Sequence, residues 1–239
     1  MSSEISYDEL SSSLHEMSLR DRMFHVRAKL PGKIVFTTSL GSEDQIITHL
    51  IFSLDLDIQV VTLDTGRLFP ETYDLLQQVE ERYGKQIKVF YPDATEVEQF
   101  VCDNGINGFR KSVQNRKICC NIRKVSPLRR ALCGANVWIT GLRAEQSDNR
   151  SSLTWVSCGD ADFGTVKVNP MLDWTLAQVT DYIYAHDIPY NKLHDAGFIS
   201  IGCQPCTRAV HIGEHPRAGR WWWEHGAQEC GLHSDNHNK

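Results

Sequence analysis

The sequence lacks an apolar run long enough to span a bilayer. Its most apolar stretches, such as residues 58–63, are far shorter than the roughly 20 residues that a transmembrane helix needs. The first twenty residues are rich in Ser and Glu and show no apolar segment after a basic start, so nothing in them indicates a secretory signal. We therefore expect a cytoplasmic protein without a membrane partner.

The chain also lacks an excess of positive charge. The chain has 25 Lys and Arg against 30 Asp and Glu, and its net charge of −5 gives no general attraction to nucleic acid. The exception is the segment 110–130, a local run of Lys and Arg that could bind a small anion. We expect no nucleic-acid partner.

A cysteine pattern typical of secreted disulfide frameworks is missing. The eight cysteines include the adjacent pair Cys119 and Cys120 and a Cys-x-x-Cys formed by Cys203 and Cys206. In a chain without a secretory signal, this pattern indicates a reducing compartment where cysteines bind metal or react. Four paired thiolates suit a tetrahedral zinc site or an iron–sulfur cluster, and spacing alone does not choose between them. Adjacent cysteines project in different directions, which modestly favours the larger cluster.

Alternating strand and helix patterns are what the chain does contain. Apolar, β-branched runs predict strands, apolar residues at three-and-four spacing predict helices, and helical patterns return after Trp174. The predicted strands are 34–38, 58–63, 87–91 and 137–140, and the first predicted helices are 46–54 and 70–83. This alternation predicts an α/β fold, a parallel sheet with helices on both faces. We assign residues 1–216 to the α/β domain and 217–239 to a polar, mobile C-terminal tail.

Two polar loops follow predicted strands. They are Ser39-Leu40-Gly41-Ser42-Glu43-Asp44 and Leu63-Asp64-Thr65-Gly66-Arg67. Loops after the carboxyl ends of parallel strands lie at the ligand-binding edge, where the N–H groups of a following helix can bind an anion. A tight turn capped by Ser42 is the alternative for the first loop. Two such loops favour a nucleotide ligand.

An isolated cysteine, Cys230, lies in the polar tail three residues before His233. An accessible thiol near cationic groups is reactive as its thiolate, although a single tail cysteine is often incidental. Cys102, Cys133 and Cys158 match no motif, and we interpret them as core or partly buried residues without a role.

Together these motifs resemble the assimilatory phosphosulfate reductases, a family within the adenine-nucleotide α-hydrolase-like group. The resemblance covers nearly the whole chain from Lys33 onward. It is carried by the two loops, by Thr140-Gly141-Leu142-Arg143 and by the terminal Glu229-Cys230-Gly231-Leu232-His233. The cysteine set is similar to that of members that carry a [4Fe-4S] cluster and act on adenylyl sulfate (APS).

The resemblance implies a cluster held by Cys119, Cys120, Cys203 and Cys206, and a nucleophile, Cys230, assisted by His233. The Cys230 thiolate would displace AMP and become S-sulfonated, and thioredoxin or a similar dithiol protein would then release sulfite. A homo-oligomer is compatible with the sequence. The implied APS contacts are Ser39, Gly41, Ser42, Asp64, Gly66, Lys124, Arg143, Arg217 and Arg220.

Three alternatives remain open. A cluster-bearing reductase could accept the 3′-phosphorylated substrate PAPS as well as APS. An ATP-dependent nucleotidyl transferase or RNA-thiolating enzyme could share the fold, but the first loop is less glycine-rich than theirs, and the terminal cysteine would be unexplained. A non-enzymatic iron–sulfur redox sensor would need neither the loops nor Cys230.

Overall fold

The computed structural model describes residues 6–147, 150–157 and 164–224. The chain forms two compact units, each assembled from three segments. The first unit comprises Met1–Thr62, Asp74–Lys88 and Leu132–Asn191. The second comprises Leu63–Tyr73, Val89–Ala131 and Lys192–Lys239.

The described residues form a six-stranded sheet. Its strands are β1 (Ile34–Thr38), β2 (Gln59–Leu63), β3 (Lys88–Phe90), β4 (Val137–Ile139), β5 (Val156–Ser157) and β6 (Val166–Val168). The strand order is β3-β2-β1-β4-β6-β5. Strand β1 pairs in parallel with β2 and with β4, β4 pairs in parallel with β6, and β5 is an antiparallel addition at one edge. The predicted α/β fold with a largely parallel sheet and flanking helices is confirmed.

Eight α-helices belong to the described part of the chain. They are α1 (Tyr7–His15), α2 (Leu19–Lys29), α3 (Ser42–Ser53), α4 (Pro70–Tyr83), α5 (Ala94–Asn104), α6 (Val113–Cys120), α7 (Ser126–Leu132) and α8 (Leu176–Ala185). The main hydrophobic core lies in the first unit, where Phe36 of β1 and Ile46 and Ile47 of α3 are fully buried. Apolar residues on one face of α3 therefore pack beneath the strand that precedes them.

Strand β1 and helix α4 begin and end at the predicted residues, and β2, β3 and β4 differ from prediction by at most one residue at either end. Within the described residues, no helix is long and apolar enough to cross a membrane. The domain boundary at residue 217 stays a prediction. Of the segment assigned to the tail, residues 217–224 are described, and Trp221 in it is 1% exposed.

Candidate functional site

The loop after β1 is closed by an internal hydrogen-bonded turn. Both the backbone N–H and the hydroxyl of Ser39 donate to Oδ2 of Asp44, at 2.6 and 2.7 Å. Gly41, not Ser42, is the N-cap of α3, and it makes no side-chain capping bond. The alternative of a turn capped by Ser42 is therefore wrong, because Ser42 is already the first residue of the helix. The Ser39 hydroxyl bonds to a carboxylate here, and its contact with a phosphate stays a prediction.

Asp44 is a site residue that the sequence reasoning missed. Burial raises the pKa of its carboxyl to about 6, although the bonds from Ser39 favour the ionised form. A Cβ at Gly141 would collide with Oδ1 of Asp44, so the Thr140–Arg143 motif needs a residue without a side chain there. The first loop and the Gly141 loop thus meet at one buried carboxyl. The glycine in the Thr140–Arg143 motif was the available signal.

Arg143 is buried in the first unit, at 4% exposure. Its Nε donates to Glu43 at 2.8 Å, and Nη1 donates to Glu145 and to the Trp174 carbonyl, both at 3.1 Å. Gln146 also donates to Glu43, at 2.9 Å. Arg143 therefore fixes the loop that carries it onto α3, and its predicted contact with substrate stays a prediction.

The loop after β2 is held in a similar way. The Asp64 carboxylate accepts from the Gly66 backbone N–H at 2.7 Å and from the Tyr73 hydroxyl at 2.9 Å. Burial and the bond to Asp64 raise the pKa of Tyr73 to about 12. Gly66 has φ +69°, a conformation that favours glycine. Asp64 and Gly66 thus determine the conformation of this loop, and their contact with substrate stays a prediction.

Four cysteines converge on one cavity in the second unit. Cys119 and Cys120 end α6, whereas Cys203 is the N-cap and Cys206 the last residue of a 3-10 turn, Gln204–Cys206. All four line a cavity with about 320 Å³ of empty space, part of it open to solvent. The other lining residues are Arg67, Phe109, Arg116, Arg123, Lys124 and Pro205. We call this the cysteine cavity; two segments separated by more than 80 residues supply its thiols.

Cations surround these thiols. Burial opposes ionisation of Cys203. Its pKa nevertheless lies below the ordinary value, because its thiolate is favoured by the charge of Lys124, a hydrogen bond with Thr65 and the charges of Arg220 and Arg123. Burial and the charge of Cys203 raise the pKa of Cys206 to about 12. Burial likewise raises the pKa of Cys119. Free thiols crowded in this way cannot all ionise, so a cationic ligand would be needed to hold four thiolates.

The donor set fits an iron–sulfur cluster chemically. Four thiols face one cavity, and the charge of each of two of them, Cys203 and Cys120, acts on Cys206. Thiolates are the ligands of such clusters, and nearby cations offset their negative charge. Within the described ranges, no group of three or more His, Cys, Asp or Glu residues is close enough to hold a metal ion. The structure is thus compatible with an iron–sulfur cofactor without showing one.

Thr65 and Arg123 are further residues that the sequence reasoning missed. The Thr65 hydroxyl lies 3.3 Å from Sγ of Cys203, and Arg123 donates to the Thr65 carbonyl at 2.6 Å. Arg123 and Lys124 belong to a π-helical turn, Asn121–Val125, that follows α6 directly. Lys124 therefore lies about one turn beyond the cysteine pair, within the basic run at 110–130.

Arg217 and Arg220 are buried, at 9% and 6% exposure. Arg220 Nη1 donates to the Ser200 hydroxyl and the Ile201 carbonyl, both at 3.2 Å. A Cβ on Gly202 would clash with the Arg220 guanidinium, which packs against that backbone. The charge of Arg220 favours the thiolate of Cys203, and at Cys206 it opposes, without reversing, the rise in pKa that burial causes. Arg220 is thus electrostatically part of the cysteine cavity, and its contact with substrate stays a prediction.

The predicted catalytic residues Cys230 and His233 lie outside the described residues, as does Cys158. Cys102 and Cys133 are exposed. The prediction that these two are core or partly buried residues is therefore wrong: Cys102 lies on the solvent face of α5, and Cys133 comes directly after α7.

Comparison with known proteins shows which family the chain is similar to. The model of the phosphoadenosine phosphosulfate reductase domain matches residues 33–209. The adenosine 5'-phosphosulfate reductase of Sinorhizobium fredii (strain USDA 257) is 49% identical over 94% of this chain and 89% of its own length. The enzyme of the same name from Allochromatium vinosum is 48% identical over 84% of this chain and 78% of its own.

Solved structures agree with this assignment. A phosphoadenylyl-sulfate (PAPS) reductase from Candida auris has a TM-score of 0.74 at 28% identity, covering 87% of this chain and 98% of its own. An FMN adenylyltransferase from Candida glabrata has a TM-score of 0.55 at 16% identity, covering 84% of this chain and 72% of its own, and shares the fold alone. The family match spans both loops and all four cavity cysteines, and the chain therefore belongs to the phosphoadenosine phosphosulfate reductase domain family.

Proposed function

We propose that this chain reduces APS to sulfite and AMP, as an oxidoreductase of sulfate assimilation and cysteine biosynthesis. The observation that carries the proposal is the cysteine cavity, where four thiols and several cations converge. Relatives with about half of their residues identical are named for reduction of adenosine 5'-phosphosulfate, which is APS. A nucleotidyl transferase of the same fold would leave the paired cysteines without a purpose.

The four cavity cysteines, Cys119, Cys120, Cys203 and Cys206, are proposed to hold a [4Fe-4S] cluster. When bound, such a cluster supplies a compact group whose charge and reduction potential depend on hydrogen bonds to its sulfur ligands. The Thr65 hydroxyl is placed to make such a bond to Cys203. Lys124 and Arg220 offset the negative charge of the thiolates.

Substrate binding is proposed for residues of each unit. In the first unit, Ser39, Gly41, Ser42 and Arg143 belong to loops that the buried Asp44 and Glu43 hold in place. In the second unit the proposed contacts are Asp64, Gly66, Lys124, Arg217 and Arg220. Backbone N–H groups and cations of this kind stabilise the negative charge that builds on a leaving phosphate.

Cys230 is proposed as the nucleophile. Its thiolate attacks the sulfur atom of APS, an S–S bond forms, and the bond from that sulfur to the bridging oxygen breaks. The bridging oxygen keeps the electron pair, so AMP leaves and Cys230 carries a sulfonate. His233, three residues further on, is proposed to assist at the same end of the chain.

A protein dithiol, thioredoxin or a similar donor, is proposed to complete the cycle. One donor thiolate attacks Sγ of Cys230 and releases sulfite, forming a mixed disulfide. The second donor thiol then attacks the first, which frees the Cys230 thiolate and leaves the donor as a disulfide. The two electrons gained by the sulfonate sulfur thus come from the donor, and we place this reaction in the cytoplasm.

The test mixes anaerobically purified protein with sulfur-labelled APS in the absence of any reductant. We expect label on the denatured chain, one AMP released for each label, and neither in Cys230→Ser. Cys133→Ser, which changes an exposed cysteine outside the cavity, is the matched control and should label normally. Labelling with PAPS but not with APS would reassign the substrate, and no label with either would overturn the mechanism.

A further inference from the structure

A buried ion pair binds Glu224, the last described residue, to a side chain that lines the cysteine cavity. Nε of Arg116 donates to both carboxylate oxygens of Glu224, at 2.7 and 2.9 Å. Only 2% of the Arg116 side chain and 9% of the Glu224 side chain are exposed. A buried charge pair of this kind holds one geometry, because separating the charges leaves each without compensation.

Arg116 joins this pair to the cavity wall. It lies three and four residues before Cys119 and Cys120 in α6, and positions so spaced share one helix face. Its side chain lines the cysteine cavity, and its guanidinium lies 4.4 Å from the ring centre of Trp221. Glu224 is therefore bound to the helix that supplies two of the four thiols.

The other cysteine segment holds the same stretch of chain. The backbone N–H of Trp221 donates to the Cys206 carbonyl at 3.1 Å, and the N–H of Arg208 donates to the Gly219 carbonyl at 3.0 Å. Thr207 and Arg220 form an antiparallel bridge. Residues 219–224 are thus fixed to both segments that carry cavity cysteines.

Cys230 lies six positions after Glu224, with five residues between them. A fully extended chain of that length spans at most about 20 Å, so whatever fixes Glu224 also limits where the Cys230 thiol can reach. Resting on the proposed role of Cys230, we propose that the Arg116–Glu224 ion pair is a positioning device. The pair holds residues 219–224, which precede Cys230, against the cysteine cavity. It thereby raises the rate at which Cys230 attacks bound APS.

The test separates the rate of attack from substrate affinity. We would measure, by rapid quench at saturating sulfur-labelled APS, the rate at which label reaches Cys230 in anaerobically purified wild type and Glu224→Gln. Misplacement of a reacting group lowers a rate by about 10- to 100-fold, so we expect a loss in that range. The dissociation constant for APS, measured in a Cys230→Ser background, should stay within about twofold, and iron content should not change.

Two further variants make the result specific. Glu214→Gln breaks the partly exposed Arg208–Glu214 pair of the same unit and, as the matched control, should label at the wild-type rate. Arg116→Gln combined with Glu224→Gln should be no slower than the slower single variant, because residues that act as one unit are not additive. Equal labelling rates in wild type and Glu224→Gln, with APS binding intact, would overturn the anchoring role.

Lengthening the tail gives a measurement that leaves the ion pair intact. Six Gly and Ser residues inserted after Glu224 double the connection to Cys230, and effective concentration falls roughly as the −3/2 power of length. We expect about a threefold slower labelling rate with unchanged affinity. If the chain with the insertion labels as fast as wild type, the inference is overturned, even if Glu224→Gln has lost its iron. Absence of label in wild type would instead refute the proposed function itself.

Discussion

The two polar clusters of this molecule differ in how their charges are balanced. In the first unit, Asp44 accepts two bonds from Ser39, and Glu43 accepts from Arg143 and Gln146, so the loop charges satisfy one another. In the cysteine cavity, cations converge on thiols whose ionisation is opposed by burial or by neighbouring thiolates.

The difference indicates two ways of preparing a site. A cluster that satisfies its own charges keeps its shape before any ligand arrives, which is how backbone N–H groups are held ready for an anion. A cavity of crowded thiols and cations reaches charge balance only when a bound group fixes the thiolates. We therefore expect substitutions in the cysteine cavity to change iron content and the labelling reaction. Substitutions in the loops of the first unit should instead change the free energy of unfolding.

The largest effect should come from removing a cavity thiol. Cys203→Ser deletes the cysteine that Thr65, Lys124 and Arg220 surround, so we expect iron to fall from about four atoms per chain to near none and labelling by APS to disappear. Elemental analysis of iron, zinc and acid-labile sulfide provides the measurement. Cys102→Ser and Cys133→Ser, both at exposed positions, should keep full iron. One zinc per chain in wild type would contradict the cluster.

The second effect is a pH dependence that resides in the first unit. Burial raises the pKa of Asp44 from 3.8 to about 6, so between those values the folded chain holds a proton that the unfolded chain has lost. Stability from this group is therefore highest below about pH 4 and falls as pH rises towards 6, by at most about 3 kcal/mol. We expect urea denaturation to show this fall in wild type relative to Asp44→Asn. A constant difference between the two proteins across pH 4–7 would contradict it.

The sequence predicted the fold best where the apolar pattern was uninterrupted. β1 and α4 have regular patterns, and their ends were predicted to the residue. β6 was missed because Lys167 interrupts its apolar run, yet this lysine is buried, with Nζ 5.2 Å from the ring centre of Trp138. α2 was missed for a similar reason, since its buried Arg22 pairs with Asp173.

Sequence reasoning grouped the four cysteines by their paired spacing, and the structure places all four on one cavity. Their role as cluster ligands stays a prediction, and the side chains that contact them were not predicted. Asp44, Thr65, Arg116 and Arg123 were missed, because their roles depend on contacts with residues far along the chain or on burial. A local pattern contains no information about such contacts.

The smallest expected effect tests whether the loop cluster is as tightly packed as its hydrogen bonds suggest. A methyl group at Gly141 would collide with the Asp44 carboxylate, so Gly141→Ala should destabilise the protein by about 1–3 kcal/mol without changing its iron content. Asp44→Ala removes the obstacle but also leaves the Ser39 N–H without its acceptor. Because the two residues are in contact, the double variant should be more stable than the sum of the single losses predicts, by at least about 0.5 kcal/mol. Urea denaturation followed by tryptophan fluorescence measures all four proteins, and strict additivity would mean that the loops do not meet at Asp44.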